Sequence, residues 1–124
     1  MINIGDTLTQ ERTTTPADSA VAMTSGGMNV YSTPSMIAFM ENTAFRLAQS
    51  KLESGETTVG IHLSIDHVKA TKIGAKVTCT ARLTGIDGKK LVFEIEASDE
   101  AGLIGKGTHH RFIVNEAKFM SKLN

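Results

Sequence analysis

The chain has 124 residues, and its thirteen basic and thirteen acidic side chains cancel to a formal net charge of 0. This length fits one domain, residues 1–124, with a core that needs no disulfide or metal. Zero net charge argues against a general nucleic-acid-binding protein, which carries a basic patch for the phosphate backbone. The longest apolar run, "MIAFM", is far shorter than the roughly 20 residues of a membrane span. We therefore expect neither nucleic acid nor a membrane as a partner.

The single cysteine, Cys79, excludes a disulfide within the chain. The first residues, "MINIGDTLTQ", lack the basic and apolar regions of a signal peptide. We therefore expect a soluble, cytoplasmic protein.

The segment "TLTQERTTT" predicts a first strand, and the loop "MTSGGMNVYS" follows it. Thr33 and Pro34 indicate a helix start, and the helix should end near Lys51 or Leu52, before the glycine of "ESGET". Four further strands are predicted in close succession: "TTVGIHLSIDHVKAT", "AKVTCTARLTGI", "KLVFEIEASD" and "LIGKGTHHRFIV". Their joints are short and turn-like, which predicts an antiparallel meander of these four strands.

These elements predict an α+β domain whose five-stranded antiparallel sheet wraps around one long helix, the arrangement known as the hot-dog fold. In the strand after the helix, alternation places His67 on the buried face. The other residues assigned to that face are Val59, Ile61, Leu63 and Ile65. Cys79 is expected to be a small buried thiol on the next strand.

Glu41 is an unexpected residue, since it lies in the apolar part of the predicted helix. Its neighbours at helical spacing are Ile37, Ala38, Ala44, Phe45 and Ala48. A carboxylate among apolar side chains needs a partner. His67 is the candidate, because a glutamate that orients a histidine produces an acid or base active near neutral pH. A structural ion pair or a helix-edge glutamate is the alternative interpretation.

Thr33 has two interpretations. A threonine before a proline at a helix start is typical of an N-cap. A hydroxyl at a helix N-terminus also faces the site where the helix dipole favours negative charge, so it could attack a carbonyl carbon or orient a water.

Gly60 interrupts a β-branched strand, which indicates a bulge or a close backbone approach, and its amide is a candidate oxyanion donor. Along an extended strand Gly60 and His67 are about 23 Å apart at ~3.3 Å per residue, so they cannot share a site within one chain. Antiparallel pairing of this strand with its own copy, around a two-fold axis near Leu63 and Ser64, places Gly60 opposite His67 of the second subunit.

Other candidates are weaker. Adjacent His109 and His110 should point to opposite faces of a strand, as should His62 and His67, so we expect no metal site. The segment Gly105-Lys106-Gly107 lacks the context of a dinucleotide-binding loop and is expected to mark a bend. The scattered cations are interpreted as solubilising, with a phosphate contact as the alternative for any near a pocket mouth: Lys69, Lys72, Lys89, Lys90, Lys106 and Arg111.

Nearly the whole chain resembles the small hot-dog thioesterases related to the fluoroacetyl-coenzyme A thioesterase. The matching stretches are "STPSMIAFMENTAF", "TTVGIHLSIDHVKATKIGAKV", "DGKKLVFEIEASDE" and "IGKGTHHRFIV". Thr33, Glu41 and His67 show the separations of the family's catalytic residues, eight and 26 positions. The family's strand glycine and late arginine, both expected to bind substrate, match Gly60 and Arg111.

The resemblance implies a homodimeric acyl-coenzyme A (acyl-CoA) thioesterase with sites at the subunit interface, and assembly beyond a dimer stays open. The expected substrate is a short or medium acyl-CoA ester, and no cofactor is expected beyond the coenzyme A of the substrate. Thr33, Glu41 and water remain alternative nucleophiles. Two other functions stay open: a non-catalytic module that binds acyl-CoA or another small ligand, and a hot-dog hydratase or dehydratase.

Overall fold

A computed structural model describes residues 1–123, which form one antiparallel sheet with a long helix packed on it. The elements in chain order are β1 (Thr7–Thr13), a short 3-10 helix (Pro16–Asp18), α1 (Thr33–Gln49), β2 (Glu56–His67), β3 (Lys76–Asp87), β4 (Lys90–Asp99), β5 (Gly102–Asn115) and α2 (Glu116–Ser121). The five predicted strands and the long helix are confirmed, whereas the 3-10 helix and α2 are not anticipated from sequence. Within residues 1–123, no helix is long and apolar enough to cross a membrane.

The strand order is β1-β3-β4-β5-β2, which corrects the predicted meander of four strands. The meander comprises only β3, β4 and β5, and β2 pairs with β5 at the edge of the sheet. The link between β2 and β3 is therefore a crossover and not a hairpin. It passes the start of α1, where the Tyr31 amide donates to the Thr71 carbonyl at 2.8 Å. Such a long-range contact leaves no local signal in the sequence.

One face of α1 packs against the inner face of the sheet. Its buried apolar residues recur at helical spacing: Met36, Phe39, Met40, Ala44, Leu47 and Ala48. Cys79 lies fully buried between Val77 and Ala81, as predicted, and burial raises the pKa of its thiol to about 11. The thiol is thus a packing group in the core.

The inner face of β2 differs from the prediction at its beginning. The register with β5 shifts between Gly60 and His62, which identifies a bulge with Ile61 as the extra residue. Ile61 is 51% exposed. The bulge reverses the alternation, so Thr58 and Gly60 face α1 in place of the predicted Val59 and Ile61. Beyond it, the predicted face is confirmed for Leu63, Ile65 and His67.

The glycines of β5 allow close packing, and Gly105 also adjoins an irregularity, since the register with β4 shifts between Ala97, opposite Gly105, and Ser98, opposite Leu103. A side-chain carbon at Gly105 would lie 2.6 Å from the Met36 sulfur, and one at Gly107 would overlap the Ser64 carbonyl of β2. Gly105 thus lets the start of α1 approach the sheet, and Gly107 lets β2 pair closely with β5.

Ser32, and not Thr33, caps α1. The Ser32 hydroxyl accepts a hydrogen bond from the Ser35 amide at 3.1 Å, and Pro34 occupies the first turn. The N-cap interpretation of Thr33 is therefore wrong by one residue, and the Thr33 hydroxyl is available for another contact.

Removing the two hydroxyls separately tests this assignment. Ser32→Ala should lower the free energy of unfolding by about 1 kcal/mol, because it leaves a helix amide unpaired. Thr33→Val should lower it by less, by about 0.5 kcal/mol, since the Thr33 hydroxyl bonds no helix amide and its one contact, with His67 Nδ1, is solvent-exposed. Urea unfolding at one protein concentration measures both changes. Equal losses in the two variants would contradict the assignment.

Candidate active site

Thr33 and His67 form a hydrogen-bonded pair where α1 begins and β2 ends. Thr33 Oγ1 lies 2.7 Å from His67 Nδ1. Because Ser32 caps the helix, the Thr33 hydroxyl is free to donate to this ring nitrogen. A cleft of about 320 Å³ lies at this pair, between the loop of residues 20–32 and residues 67–70. The structure thus brings together two of the three residues predicted to carry chemistry.

His67 also has a nitrogen that this chain leaves without a partner. Its Nε2 atom is buried, and no hydrogen-bonding group of residues 1–123 reaches it. Burial lowers the pKa of His67 below the ordinary histidine value, and the nearby Lys69 backbone partly opposes the shift without forming a hydrogen bond to Nε2. Buried polar atoms are nearly always paired. Nε2 therefore indicates a position for an acceptor from outside this chain.

A second polar cluster lies near the other end of β2, beneath Gly60. A side-chain carbon at Gly60 would lie 3.2 Å from Glu41 Oε2, 3.2 Å from His109 Cε1 and 3.4 Å from Arg111 Nη1. These contacts are tighter than ordinary van der Waals packing, so only glycine fits without displacing a neighbour. Glu41, His109 and Arg111 thus converge on the backbone of the bulge.

Glu41 does not partner His67 within one chain. From Thr33, beside His67, the helix runs eight residues to Glu41, beside Gly60, so α1 and β2 are antiparallel. Because Ile61 is an extra residue, Gly60 and His67 lie opposite Arg111 and Gly105, six residues apart on β5, which is about 20 Å at ~3.3 Å per strand residue. The expected partnership is therefore wrong for a single chain: Thr33 and His67 form one half of the predicted site, and Glu41 and Gly60 form the other.

Arg111 belongs to the Glu41 half and is buried. Its Nε donates to Thr58 Oγ1 at 2.8 Å, and its Nη2 donates to the Thr58 carbonyl at 3.1 Å. The guanidinium lies over the Phe45 ring, 5.5 Å from the ring centroid. Burial lowers the pKa of Arg111 and nearby Glu41 raises it. Since Arg111 is only 7% exposed, its interpretation as a solubilising cation is wrong.

Of the six basic residues interpreted from the sequence as solubilising, Lys69 lines the cleft. It forms an ion pair with Asp99 at 2.8 Å, and this hydrogen bond is the main reason why the pKa of Asp99 is lowered. The lysine is thereby held in one place beside the cleft.

Sequence reasoning misses the part that His109 plays. It treats His109 only as a metal-ligand candidate, whereas the side chain is 1% exposed and contacts both the His62 carbonyl and Arg111. It also misses that His62 and His110 are cross-strand neighbours whose ring centroids are 4.6 Å apart. Both contacts follow from the β2–β5 register. In residues 1–123, no group of three or more histidine, cysteine, aspartate or glutamate side chains is placed to hold a metal ion.

Comparison with known proteins connects these two half-sites with a family. Residues 14–117 match the family described as fluoroacetyl-CoA-specific thioesterase. A fluoroacetyl-CoA thioesterase from Streptantibioticus cattleyicolor is 35% identical over 94 residues, which cover 76% of this chain and 68% of that protein.

Solved structures agree over almost the full length. A structure of fluoroacetyl-CoA thioesterase has a TM-score of 0.94 at 28% identity, covering 99% of this chain and 96% of the other. A Thermus thermophilus hypothetical protein, described as a thioesterase superfamily member, has a TM-score of 0.91 at 26% identity, covering 99% and 91% of the two chains. The hot-dog fold and the family resemblance are therefore confirmed, and this chain belongs to the fluoroacetyl-CoA-specific thioesterase family, a family of thioester hydrolases.

Proposed function

We propose that this thioester hydrolase cleaves a short or medium acyl-CoA ester at two sites in a homodimer, each site joining Thr33 and His67 of one subunit to Glu41 and Gly60 of the other. The observation that carries the proposal is the Thr33–His67 hydrogen bond with a buried, unpartnered Nε2 on the same ring. In a catalytic triad, one histidine nitrogen contacts the nucleophile and the other donates to a carboxylate. Here Nδ1 contacts the Thr33 hydroxyl, and Nε2 lacks only its acceptor.

The edge strand β2 supports the homodimer. One side of its backbone is not paired by residues 1–123. Ile61 is 51% exposed and Val68, just beyond the strand, is 54% exposed. An unpaired edge with exposed apolar side chains favours pairing with another strand. Antiparallel pairing of β2 with its own copy covers this edge in both subunits.

The bulge makes the proposed register consistent. In a regular strand Gly60 and His67, seven positions apart, would point to opposite faces, but directly opposed residues of an antiparallel pair share a face. The extra residue, Ile61, brings Gly60 onto the face of His67. A two-fold axis near Leu63 and Ser64 then places the partner subunit's Gly60 opposite His67.

The same two-fold axis also brings the partner subunit's Glu41 to His67. Its carboxylate lies against Gly60 within each chain, so the partner subunit's Glu41 arrives wherever the partner subunit's Gly60 does. There it accepts the Nε2 proton of His67. Nδ1 is then left with a lone pair directed at the Thr33 hydroxyl, 2.7 Å away.

The reaction follows from this proton arrangement. His67 Nδ1 takes the proton of Thr33, or of a water that Thr33 holds, as the oxygen attacks the thioester carbonyl. The partner subunit's Glu41 stabilises the imidazolium that forms. Backbone amides at the bulge of the partner subunit stabilise the oxyanion, and Ile61 has no partner residue on β5. The imidazolium then protonates the departing thiolate, a good leaving group because a thiol has a pKa near ~8.5. Where Thr33 is the nucleophile, this step leaves an acyl ester on its oxygen, and a water deprotonated by His67 then hydrolyses that ester to the free acid and restores the Thr33 hydroxyl.

The remaining roles follow from placement. Arg111 lies beneath Gly60, which supports its predicted substrate-binding role at the acyl end of the site and not at the coenzyme A phosphates.

The reaction needs no cofactor, because coenzyme A is part of the substrate. We place the enzyme in the cytoplasm, where its single buried thiol, Cys79, would stay reduced.

Thiol release tests the proposed activity. We expect the wild type to release free thiol from at least one ester in a panel from acetyl-CoA to decanoyl-CoA with an aryl example. His67→Ala, still folded and dimeric, should be slower by about 10²–10⁴-fold, the contribution typical of a general base. Binding of these esters without turnover by the wild type would instead favour the non-catalytic module, and an enoyl chromophore would indicate a hydratase or dehydratase.

The pH profile tests the role of Glu41. Activity should rise with pH as His67 loses its proton, so the acid limb of kcat/KM follows the pKa of His67. Burial lowers this pKa, and the partner subunit's carboxylate raises it again. Glu41→Gln should therefore move the limb to lower pH and lower kcat by about tenfold or more.

Glu94→Gln is the matched control, because Glu94 is 58% exposed and pairs with Arg82 away from the site. It should leave the limb at its wild-type position. If Glu41→Gln also leaves the acid limb at its wild-type position, the Glu41 carboxylate does not contact His67.

A further inference from the structure

His109 is buried on β5, and both of its ring nitrogens have partners. Nδ1 lies 2.8 Å from the His62 carbonyl oxygen, and Nε2 lies 3.1 Å from Arg111 Nη1. A carbonyl oxygen only accepts and a guanidinium only donates. The ring is therefore neutral, with its proton on Nδ1 and a lone pair on Nε2. Burial lowers the pKa of His109, and the charges of Arg111 and His110 add to this effect. The hydrogen bond to the His62 carbonyl and the charge of Glu41 oppose it, but the net shift is downward and favours the neutral form.

The contact with the bulge fixes this tautomer. His62 is the residue at which regular pairing with β5 resumes after the bulge. Its carbonyl is a backbone group, and it holds the Nδ1 proton whatever the guanidinium does. Nε2 is consequently an acceptor directed at Arg111.

Arg111 and Glu41 lie close enough for a direct ion pair between them to compete with the Arg111–His109 hydrogen bond. Arg111 Nη1 and Glu41 Oε2 lie 3.4 and 3.2 Å from the same point, the side-chain carbon position at Gly60. Arginine–carboxylate bonds are among the stronger hydrogen bonds in proteins. Yet Glu41 is absent from the ion pairs of residues 1–123, which are Lys69–Asp99, Lys76–Glu11 and Arg82–Glu94.

We propose that His109 is a positioning residue: by accepting one N–H of Arg111 Nη1, it holds the guanidinium where it does not pair directly with Glu41. The Glu41 carboxylate then remains available to the His67 of the other subunit. The inference rests on the proposed function, since a free carboxylate matters only if it serves His67 across the interface.

Two substitutions separate the contacts of His109. In His109→Asn, the side-chain amide takes the place of Nδ1 and can donate to the His62 carbonyl, but it does not reach Arg111. In His109→Gln, the amide oxygen reaches the place of Nε2 and can accept from Arg111. Comparing the two variants therefore shows which contact of His109 the reaction needs.

The pH profile of kcat/KM distinguishes positioning from a purely structural role. We expect His109→Asn to lower kcat by about tenfold and to move the acid limb to lower pH, towards that of Glu41→Gln. His109→Gln should stay within about threefold of the wild type and keep its limb. A structural role would impair both variants alike and leave both limbs in place, which would overturn the proposal.

A double variant tests the competing ion pair itself. Adding Arg111→Met to His109→Asn removes the guanidinium, so the limb should return to its wild-type position even if substrate affinity falls. A limb that stays at low pH would overturn the proposal. A crystal structure of the His109→Asn dimer adds a readout without turnover: Arg111 Nη1 should lie about 3 Å from the Glu41 carboxylate.

A further test uses the wild-type protein and so does not depend on whether any variant folds. Nitrogen NMR of the His109 ring should show a neutral imidazole protonated on Nδ1 throughout the pH range of activity. A charged ring, or one protonated on Nε2, would overturn the inference. If Glu41→Gln and wild type share one acid limb, the proposed site fails as well. If these two differ and His109→Asn matches the wild type, only the role of His109 fails.

Discussion

The bulge in β2 is the constraint on which the rest of the site depends. A regular strand would point Gly60 and His67 to opposite faces, because seven positions separate them. The extra residue turns both towards α1, so that each end of one strand carries half of a polar site. Since β2 is an edge strand, the proposed antiparallel self-pairing would bring the unlike halves together twice in a dimer.

Each half-site is electrostatically incomplete in one chain. The first has a buried imidazole nitrogen that lacks an acceptor. The second has a carboxylate, Glu41, and a buried guanidinium, Arg111, that are close but not directly paired. In the proposed dimer, joining the halves would give the imidazole its acceptor and the carboxylate its donor. The same joining would exclude water from both groups and so strengthen the interaction between them.

Much of this architecture is predictable from the sequence, because it rests on local signals. Helical spacing gives α1, alternation gives the strands, and Glu41 is conspicuous among apolar neighbours. Other features depend on register. The place of β2 beside β5, the bulge at Ile61 and the burial of Arg111 arise from contacts between distant segments, which no window of the sequence contains. The sequence does not distinguish Ser32 from Thr33 as the cap, because both are good capping residues.

Mixing two impaired variants tests the shared site most directly. His67→Ala and Glu41→Gln chains, each strongly impaired as a homodimer, would be exchanged into mixed dimers. A mixed dimer then has one site in which His67 and the partner subunit's Glu41 are both intact, and one in which both are altered. Random mixing should restore about a quarter of the wild-type thioesterase activity, because half of the dimers are mixed and each has one working site of two. If mixed dimers form and activity does not return, His67 and Glu41 do not act across the interface, and the account is wrong.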